Sequence, residues 1–306
     1  MKPRNLQQQV KVALVIPVYN RRETTLRALR SLTRINKDGL EVKIFVVDDG
    51  STDGTGDAIR AQYPEVVLLN GGGTLHYAGG TSLGMQKALE WEPEYICTMN
   101  DDSVFHPDFL QRLVAAASKF QKSVIGALLL LWSEPHKVFQ VNQRWNTLQG
   151  GWVIPKDLTA FNIPKSTFEV ECIVGNTVLF PADGIRKLGL MDAEKFPFGW
   201  GDAQYTMRFR KNGYRLFVEP KALVWCEPNT DPPSLHTLSS RRVLEILLFD
   251  ERHPLNLRRQ FVARVESAPS IIKALLAYLA YLVRFTAHAV KMMRKRINMN
   301  SLSQKS

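Results

Sequence analysis

The residues best suited to chemistry in this 306-residue chain lie in two short acidic turns. Val46-Val47-Asp48-Asp49-Gly50-Ser51-Thr52-Asp53-Gly54 and Cys97-Thr98-Met99-Asn100-Asp101-Asp102-Ser103 each set carboxylates directly after an apolar, strand-like run. In an open parallel sheet, ligands bind in the crevice beyond the carboxyl ends of the strands, so both turns are expected to line one cleft. Two acidic clusters on one cleft suit a bound divalent cation. Taken alone, 48–53 also reads as a solvated turn in which Asp and Ser cap the next helix. Likewise, 100–102 reads as an ordinary acidic turn ahead of Pro107.

The surrounding pattern alternates strands and helices. Strands are expected at 11–18, 42–47, 66–69, 95–99 and 124–130. Helices are expected at 23–35, 55–62, about 80–90 and after Pro107, a residue that suits a first helical turn. This alternation with short links predicts an α/β fold with a mainly parallel sheet flanked by helices. From about Val138 the rhythm shortens, with strands expected at 170–174, 177–180, 215–218 and 222–225, the early ones pairing with the sheet edge and shaping one wall of the cleft. Helices are expected at 182–188 and 202–212, the second ended by Gly213 in a left-handed cap.

Composition narrows the class. Hydrophobic residues make up 45% and charged residues 23%, which is globular composition. Cys97, Cys172 and Cys226 are an odd number at wide spacing, against a disulfide framework and for a reducing compartment. The polar N-terminus lacks the apolar core of a signal peptide, so the expected location is cytoplasmic. The net charge of +11 is concentrated in the tail, because no acid follows Glu266. Nucleic acid is therefore not the expected partner.

The order of motifs resembles glycosyltransferase family 2. Ile16-Pro17-Val18-Tyr19-Asn20, then 46–54, then Asn100-Asp101-Asp102, look like its nucleotide-sugar half, and Trp200-Gly201-Asp202-Ala203-Gln204-Tyr205 with Arg208 and Gly213-Tyr214 resembles its acceptor-side acidic motif. Within the family, 70–72, 77–81 and the tryptophan before the acidic pair look like the rhamnosyltransferase-like and galactofuranosyltransferase-like branch, which builds bacterial cell-surface polysaccharides.

This resemblance implies a GT-A fold and an inverting transfer from a UDP- or dTDP-sugar to a saccharide or lipid-linked saccharide. One of Asp48 and Asp49 would accept the imide hydrogen of the base, and Pro17, Tyr19 and Asn20 would pack on the nucleoside. A diphosphate leaving group needs its developing charge neutralised, and Mg2+ or Mn2+ on carboxylate oxygen does this as a Lewis acid. Asp102 is the expected metal ligand, with Asp101 at the ribose or a metal-bound water. The family usually carries Asp-x-Asp here, whereas this chain has Asn100 first. Asp202 is the expected general base on the acceptor side; as a first-turn Asp it would also be favoured by the helix dipole. Gly79 and Gly80, opening a helix, offer backbone N–H groups to phosphate or sugar oxygens. His76 and Tyr77 would border the sugar pocket. Trp152, Asn176, Trp200 and Gly201 are candidates for the acceptor wall, with core packing the alternative for the tryptophans. Related enzymes often place a metal-binding His after the last strand, where this chain has Cys226, a soft ligand poorly matched to such cations. Glu227 or His236 could substitute.

The expected organisation is an N-terminal tail (1–10), a catalytic domain (11–235, nucleotide-sugar half to about 130 and acceptor half from 131), and a helical extension (236–306). In a helix over 271–296, Lys273, Ala277, Arg284, Lys291 and Lys295 share an arc of about 40°, with Leu275, Leu279, Leu282, Ala289 and Met293 opposite. The uncharged stretch 274–283 is shorter than the roughly 20 residues that span a bilayer. This pattern fits a helix lying in an anionic membrane interface, or one packed on protein. Two rivals are a nucleotidyltransferase, which would need a basic, Gly-rich phosphate loop that Arg21-Arg22 poorly replaces, and a catalytically silent membrane- or nucleic-acid-binding protein.

Overall fold

The computed structural model describes residues 9–141, 143–197, 199–227 and 238–303, with the backbone alone at 240, 288, 289 and 291–303. His236 lies outside the described residues. In chain order the elements are β1 (Val10–Val18), α1 (Arg22–Leu32), β2 (Leu40–Asp48), α2 (Thr55–Gln62), β3 (Val67–Asn70), α3 (His76–Glu90), β4 (Tyr95–Thr98), β5 (Val104–Phe105) and α4 (Phe109–Lys119). They continue with β6 (Ser123–Leu131), β7 (Val138–Gln140), β8 (Arg144–Asn146), a 3-10 turn (Thr147–Gln149), β9 (Gly151–Val153), β10 (Phe168–Glu169) and β11 (Val178–Pro181). The last are α5 (Ala182–Leu188), α6 (Gly201–Lys211), β12 (Arg215–Cys226), α7 (Ser240–Leu248), α8 (Leu257–Ser267) and α9 (Ile271–Ser303).

Chain contacts divide these into two compact units, Met1–Gln143 with Ile154–Pro228, and Arg144–Val153 with Asn229–Ser306. The first holds a mixed sheet in the order β10-β12-β6-β11-β4-β1-β2-β3. The pairs β3/β2, β2/β1, β1/β4 and β6/β12 are parallel, and β11 runs antiparallel between β4 and β6. The apolar run of β1 is continuous because both of its faces are covered. Val12, Leu14, Ile16 and Val18 enter one core with α1, α2 and α4, while Ala13 and Val15 enter another with α3, α5 and α6. In the second core, Phe180, Tyr205, Phe209 and Tyr214 nest with ring centroids 4.9–5.2 Å apart.

This topology brings several segments to one edge. The parallel strands β1, β2, β3 and β4 end at Val18, Asp48, Asn70 and Thr98. Because β11 pairs antiparallel with β4 through Val178 and Thr98, its preceding residues Gly175–Thr177 reach the same edge.

Several expectations are corrected. Residues 170–174, read as a strand, are irregular, although Val170 and Cys172 are buried. The two expected strands at 215–218 and 222–225 are one strand, β12, whose register shifts between Glu219 and Leu223. Pro220, which has no N–H to give a ladder, lies in that shift. Helix α3 begins at His76 rather than near Gly80. Gly79 and Gly80 are thus inside the helix and buried. The Gly79 N–H donates to the Leu75 carbonyl and is not presented to a ligand. A Cβ at Gly80 would lie 3.0 Å from Pro17 Cβ, and one at Gly84 only 2.4 Å from Val15 Cγ1, so both glycines let α3 settle directly on β1.

In the second unit, β8 and β9 pair only with each other, and Trp145 meets Trp152 edge-on at 5.3 Å. Ala274 and Ala277 of α9 are fully buried, and Tyr278 donates to the Leu257 carbonyl of α8. Ala277 thus belongs to a packed face and not to the basic arc, and α9 continues past 296 to Ser303. No helix among the described residues is long and apolar enough to cross a membrane.

Gly84→Ala should cost about 1–3 kcal/mol, because the added methyl overpacks the α3–β1 contact. The exposed Gln86→Ala in the same helix should change stability by less than ~0.5 kcal/mol. Denaturant unfolding of both variants checks the difference.

Candidate active site

Each acidic turn is locked in its own way. Asp49 is buried, and its carboxylate accepts three backbone N–H groups: Gly73 at 2.9 Å, Leu75 at 3.1 Å and His76 at 2.8 Å. It therefore folds the 71–76 loop and starts α3, which explains the earlier helix start. Asp48 is half-buried and accepts the Ser51 N–H at 2.8 Å. Asn20, at φ 50°, accepts the Thr52 N–H at 2.7 Å, and its own N–H donates to Ser51 Oγ at 2.9 Å, tying the turn after β1 to the turn after β2. Tyr19 is exposed beside it, while Pro17 sits in β1 opposite Val47.

The second turn is held by Arg21, from the turn after β1. Arg21 donates from Nη1 to Asp101 Oδ1 at 2.9 Å and from Nη2 to Asp102 Oδ2 at 3.2 Å. Thr25 Oγ1 donates to the other oxygen of Asp101 at 3.1 Å. Burial raises the Asp101 carboxyl to about 6, against the pull of Arg21 and with the push of Asp102. Asp102 Oδ1 accepts the Ser103 hydroxyl at 3.5 Å. The Asn100 amide oxygen is buried and has no hydrogen-bond partner.

The acceptor-side carboxylate joins this turn through two residues. Asp202, in the first turn of α6, accepts the Gly175 N–H on Oδ2 at 2.9 Å and the Ala203 N–H on Oδ1 at 2.7 Å. Gly175 also accepts the Tyr77 hydroxyl at 3.0 Å. Burial, with Asp202 adding to it, pushes the Tyr77 hydroxyl far above its ordinary value, so it remains a donor. Asn176 is buried; its Nδ2 donates to Ser103 Oγ at 2.7 Å and its Oδ1 accepts the Asn100 N–H at 3.1 Å. Asn176 therefore braces the acidic turn. Trp200 precedes Gly201 with φ 67°, a left-handed conformation uncommon for a residue with a side chain. Trp152 lies in the second unit, where its indole N–H donates to Ser267 Oγ at 3.0 Å.

Cys226 and Glu227, at the end of β12, supply little to a metal. Burial pushes the Cys226 thiol up to about 12, so it stays protonated. Glu227 accepts the Ser133 N–H at 2.6 Å. Among the described residues no cluster of three His, Cys, Asp or Glu could hold an ion. The donors that fit a hard cation are the Asp102 carboxylate and the orphaned Asn100 oxygen, a sparse set that leaves room for phosphate oxygens and water.

A parallel sheet with acidic turns on its carboxyl edge and a third carboxylate at a helix start defines a sugar-nucleotide-type fold. The model of glycosyltransferase family 2 matches residues 13–169, just over half of the chain, and the chain belongs to that family. It is therefore a glycosyltransferase by descent. An N-acetylglucosaminyl-diphospho-decaprenol L-rhamnosyltransferase of Mycobacterium tuberculosis is 30% identical over 204 residues, covering 60% of this chain and 66% of that protein. An undecaprenyl-phosphate mannosyltransferase of Micrococcus luteus is 25% identical over 226 residues, covering 70% and 84%. Among solved structures, GalNAc-T7 with UDP, GalNAc and Mn2+ superposes with TM-score 0.61 at 16% identity over 80% of this chain, which spans 49% of that one. A mannosyltransferase from Pyrobaculum calidifontis with GDP-Man and Mn2+ gives 0.55 at 16% identity, covering 90% and 70%. These two share the GT-A fold of this chain.

Gly175 is the residue whose replacement is most informative, since a Cβ there would fall 2.1 Å from Asp202 Oδ2. Gly175→Ala should force Asp202 aside and lower sugar transfer by about 100-fold, the scale expected when a reacting group is misplaced by an ångström. Nucleotide affinity should change by less than threefold. Parallel activity and calorimetric binding measurements check both.

Proposed function

We propose that this glycosyltransferase moves a sugar, with inversion, from a UDP- or dTDP-sugar to a saccharide or lipid-linked saccharide in cell-surface polysaccharide synthesis. The observation that carries the reading is the Gly175–Asn176 bridge, which joins Asp202 to the acidic turn 100–103. A leaving-group site and a nucleophile-activating group are thereby held by adjacent residues.

In this reading Asp48 receives the imide N–H of the base, because the Asp49 carboxylate is already occupied by three backbone donors. Pro17, Tyr19 and Asn20 border the nucleoside, and Asp101 faces the ribose or water side. Asp102, with Asn100 beside it in sequence, would hold Mg2+ or Mn2+, which supplies charge neutralisation for the departing diphosphate. Asp202 takes the proton of the attacking acceptor hydroxyl. Its two oxygens are oriented by the backbone N–H groups of Gly175 and Ala203. Trp200, Gly201 and Asn176 would form part of the acceptor wall; Trp152 is retained only as a candidate.

The lipid-linked acceptor is suggested by the names of the two bacterial relatives, which carry prenol-based acceptors. The second unit offers a way to meet such an acceptor. Ile272, Leu276, Leu279 and Val283 of α9 are each more than half exposed. Their spacing of i, i+4, i+7 and i+11 places them on one stripe. Exposed Lys273 and Arg284 flank that stripe, and no acid follows Glu266. This combination supports a helix lying in the interface of an anionic membrane, on its cytoplasmic face.

Calorimetry with UDP, dTDP and GDP, each with and without Mn2+, should give metal-dependent binding of one nucleotide, lost in Asp102→Asn. Asp202→Asn should lower transfer by about 10²–10⁴-fold while leaving that binding within threefold, the range for a general base. Equal loss of both would reject the base assignment. For the membrane contact, Leu276→Glu with Leu279→Glu should abolish cosedimentation with vesicles rich in anionic lipid without changing nucleotide binding. Wild-type protein that ignores such vesicles would reject it.

A further inference from the structure

We infer that Arg21 is a built-in counter-ion that holds the Asp102 site closed to a bare divalent cation and releases it when a diphosphate is present. The inference rests on the reading of Asp102 as metal ligand.

Asp101 and Asp102 are adjacent, and their side chains are only 6% and 11% exposed. Two neighbouring carboxylates so withdrawn from water need a compensating positive charge. Arg21 supplies it with one nitrogen on each, so its fork spans the pair instead of gripping a single carboxylate. The Arg21 side chain as a whole is 42% exposed. It therefore has solvent on one side and a route away from the pair.

A divalent cation approaching Asp102 finds Oδ2 already occupied by Arg21, and a cation entering on Oδ1 faces the guanidinium charge close by. Binding the metal alone thus requires displacing a cation for which the protein offers no other partner in the described turn. Binding metal and nucleoside diphosphate together removes this obstacle, because phosphate oxygens give the displaced guanidinium a bidentate acceptor. Metal and diphosphate are then coupled through Arg21, and the coupling acts equally in both directions. The consequence is an order of filling in which the acidic pair is never left uncompensated. Sequence position fits the role, since Arg21 follows Asn20, which is itself fixed to the Asp48 turn.

The test measures Mn2+ binding by the electron paramagnetic resonance signal of free Mn2+, on the full chain, with and without UDP. Wild-type protein is compared with Arg21→Gln, Arg21→Lys and Arg21→Gln combined with Asp102→Asn, with thermal unfolding confirming that each is folded. Without nucleotide, Arg21→Gln should bind Mn2+ about tenfold more tightly than wild type, Arg21→Lys should fall between them, and the double variant should bind no more tightly than wild type. UDP should strengthen Mn2+ binding to wild type by several-fold more than to Arg21→Gln. Equal or weaker Mn2+ binding by Arg21→Gln overturns the proposal, as does tighter binding that survives Asp102→Asn. Should UDP leave Mn2+ binding unchanged in every protein, the donor reading fails, while the Mn2+-only comparison still decides the role of Arg21.

Discussion

Carboxylates crowded onto one edge of a sheet repel one another, and the carboxyl edge here gathers five of them: Asp48, Asp49, Asp101, Asp102 and Asp202. Each is kept by a partner suited to its depth. Asp49, the most internal member of its turn, is surrounded by backbone N–H groups of the 73–76 segment, which stabilise an ionised oxygen without adding a mobile charge. Asp101 and Asp102 share one guanidinium. Asp202 lies where the helix dipole and two N–H groups favour its charge. The surrounding loops follow from these assignments. The 71–76 loop takes its path from Asp49, and the 175–177 segment takes its path from Asp202 and the acidic turn.

Holding such loops requires uncommon backbone conformations. Asn20, His76, Thr177 and Trp200 all have positive φ, between 50° and 67°, and all lie in segments that meet this edge. Such residues cost roughly 1–3 kcal/mol each and persist only where their surroundings over-determine them. The determinants are identifiable at three of them. Asn20 is fixed by Ser51 and Thr52, the His76 N–H is fixed by Asp49, and the Thr177 hydroxyl donates to Asn176 Oδ1 at 3.0 Å. The strain and the polar network therefore occupy the same residues, which is how a fold can keep carboxylates at fixed separations without a bound ligand.

What was legible in the sequence reflects which interactions are local. Strands β1, β2 and β6 declare themselves because burial on both faces demands an unbroken apolar run, and the acidic turns are visible because they interrupt such runs. Residues 170–174 carry the same apolar signal without being a strand, since composition reports burial and not ladder pairing. The glycines at 79 and 80 resembled a phosphate loop, yet their smallness serves helix-to-sheet contact, a distinction that needs the position of Pro17. The contacts of Arg21 and Gly175 are hidden for the same reason. Their partners lie 80 and 27 residues away, so no local pattern reveals them. A Gly-Asn pair between two apolar runs was the only signal for the 175–176 bridge. Trp152 joins the second unit, which a tryptophan near a Gly pair does not announce.

The bridge also bears on how the two sides of the reaction can move. Gly175 donates its N–H to Asp202 and leaves no room there for a Cβ, and the next residue bonds both ends of the acidic turn. A shift of the turn on engaging a phosphate would be carried through Asn176 and Gly175 to Asp202 within two peptide units. In the proposed assignment, a linkage of this kind would limit the independent adjustment of leaving-group site and base, and would favour a geometry set in advance over one assembled by each substrate. In that assignment a substitution at Asn176, which bonds the acidic turn, would disturb the donor side as well, so specificity for sugar and acceptor would come from residues outside the bridge.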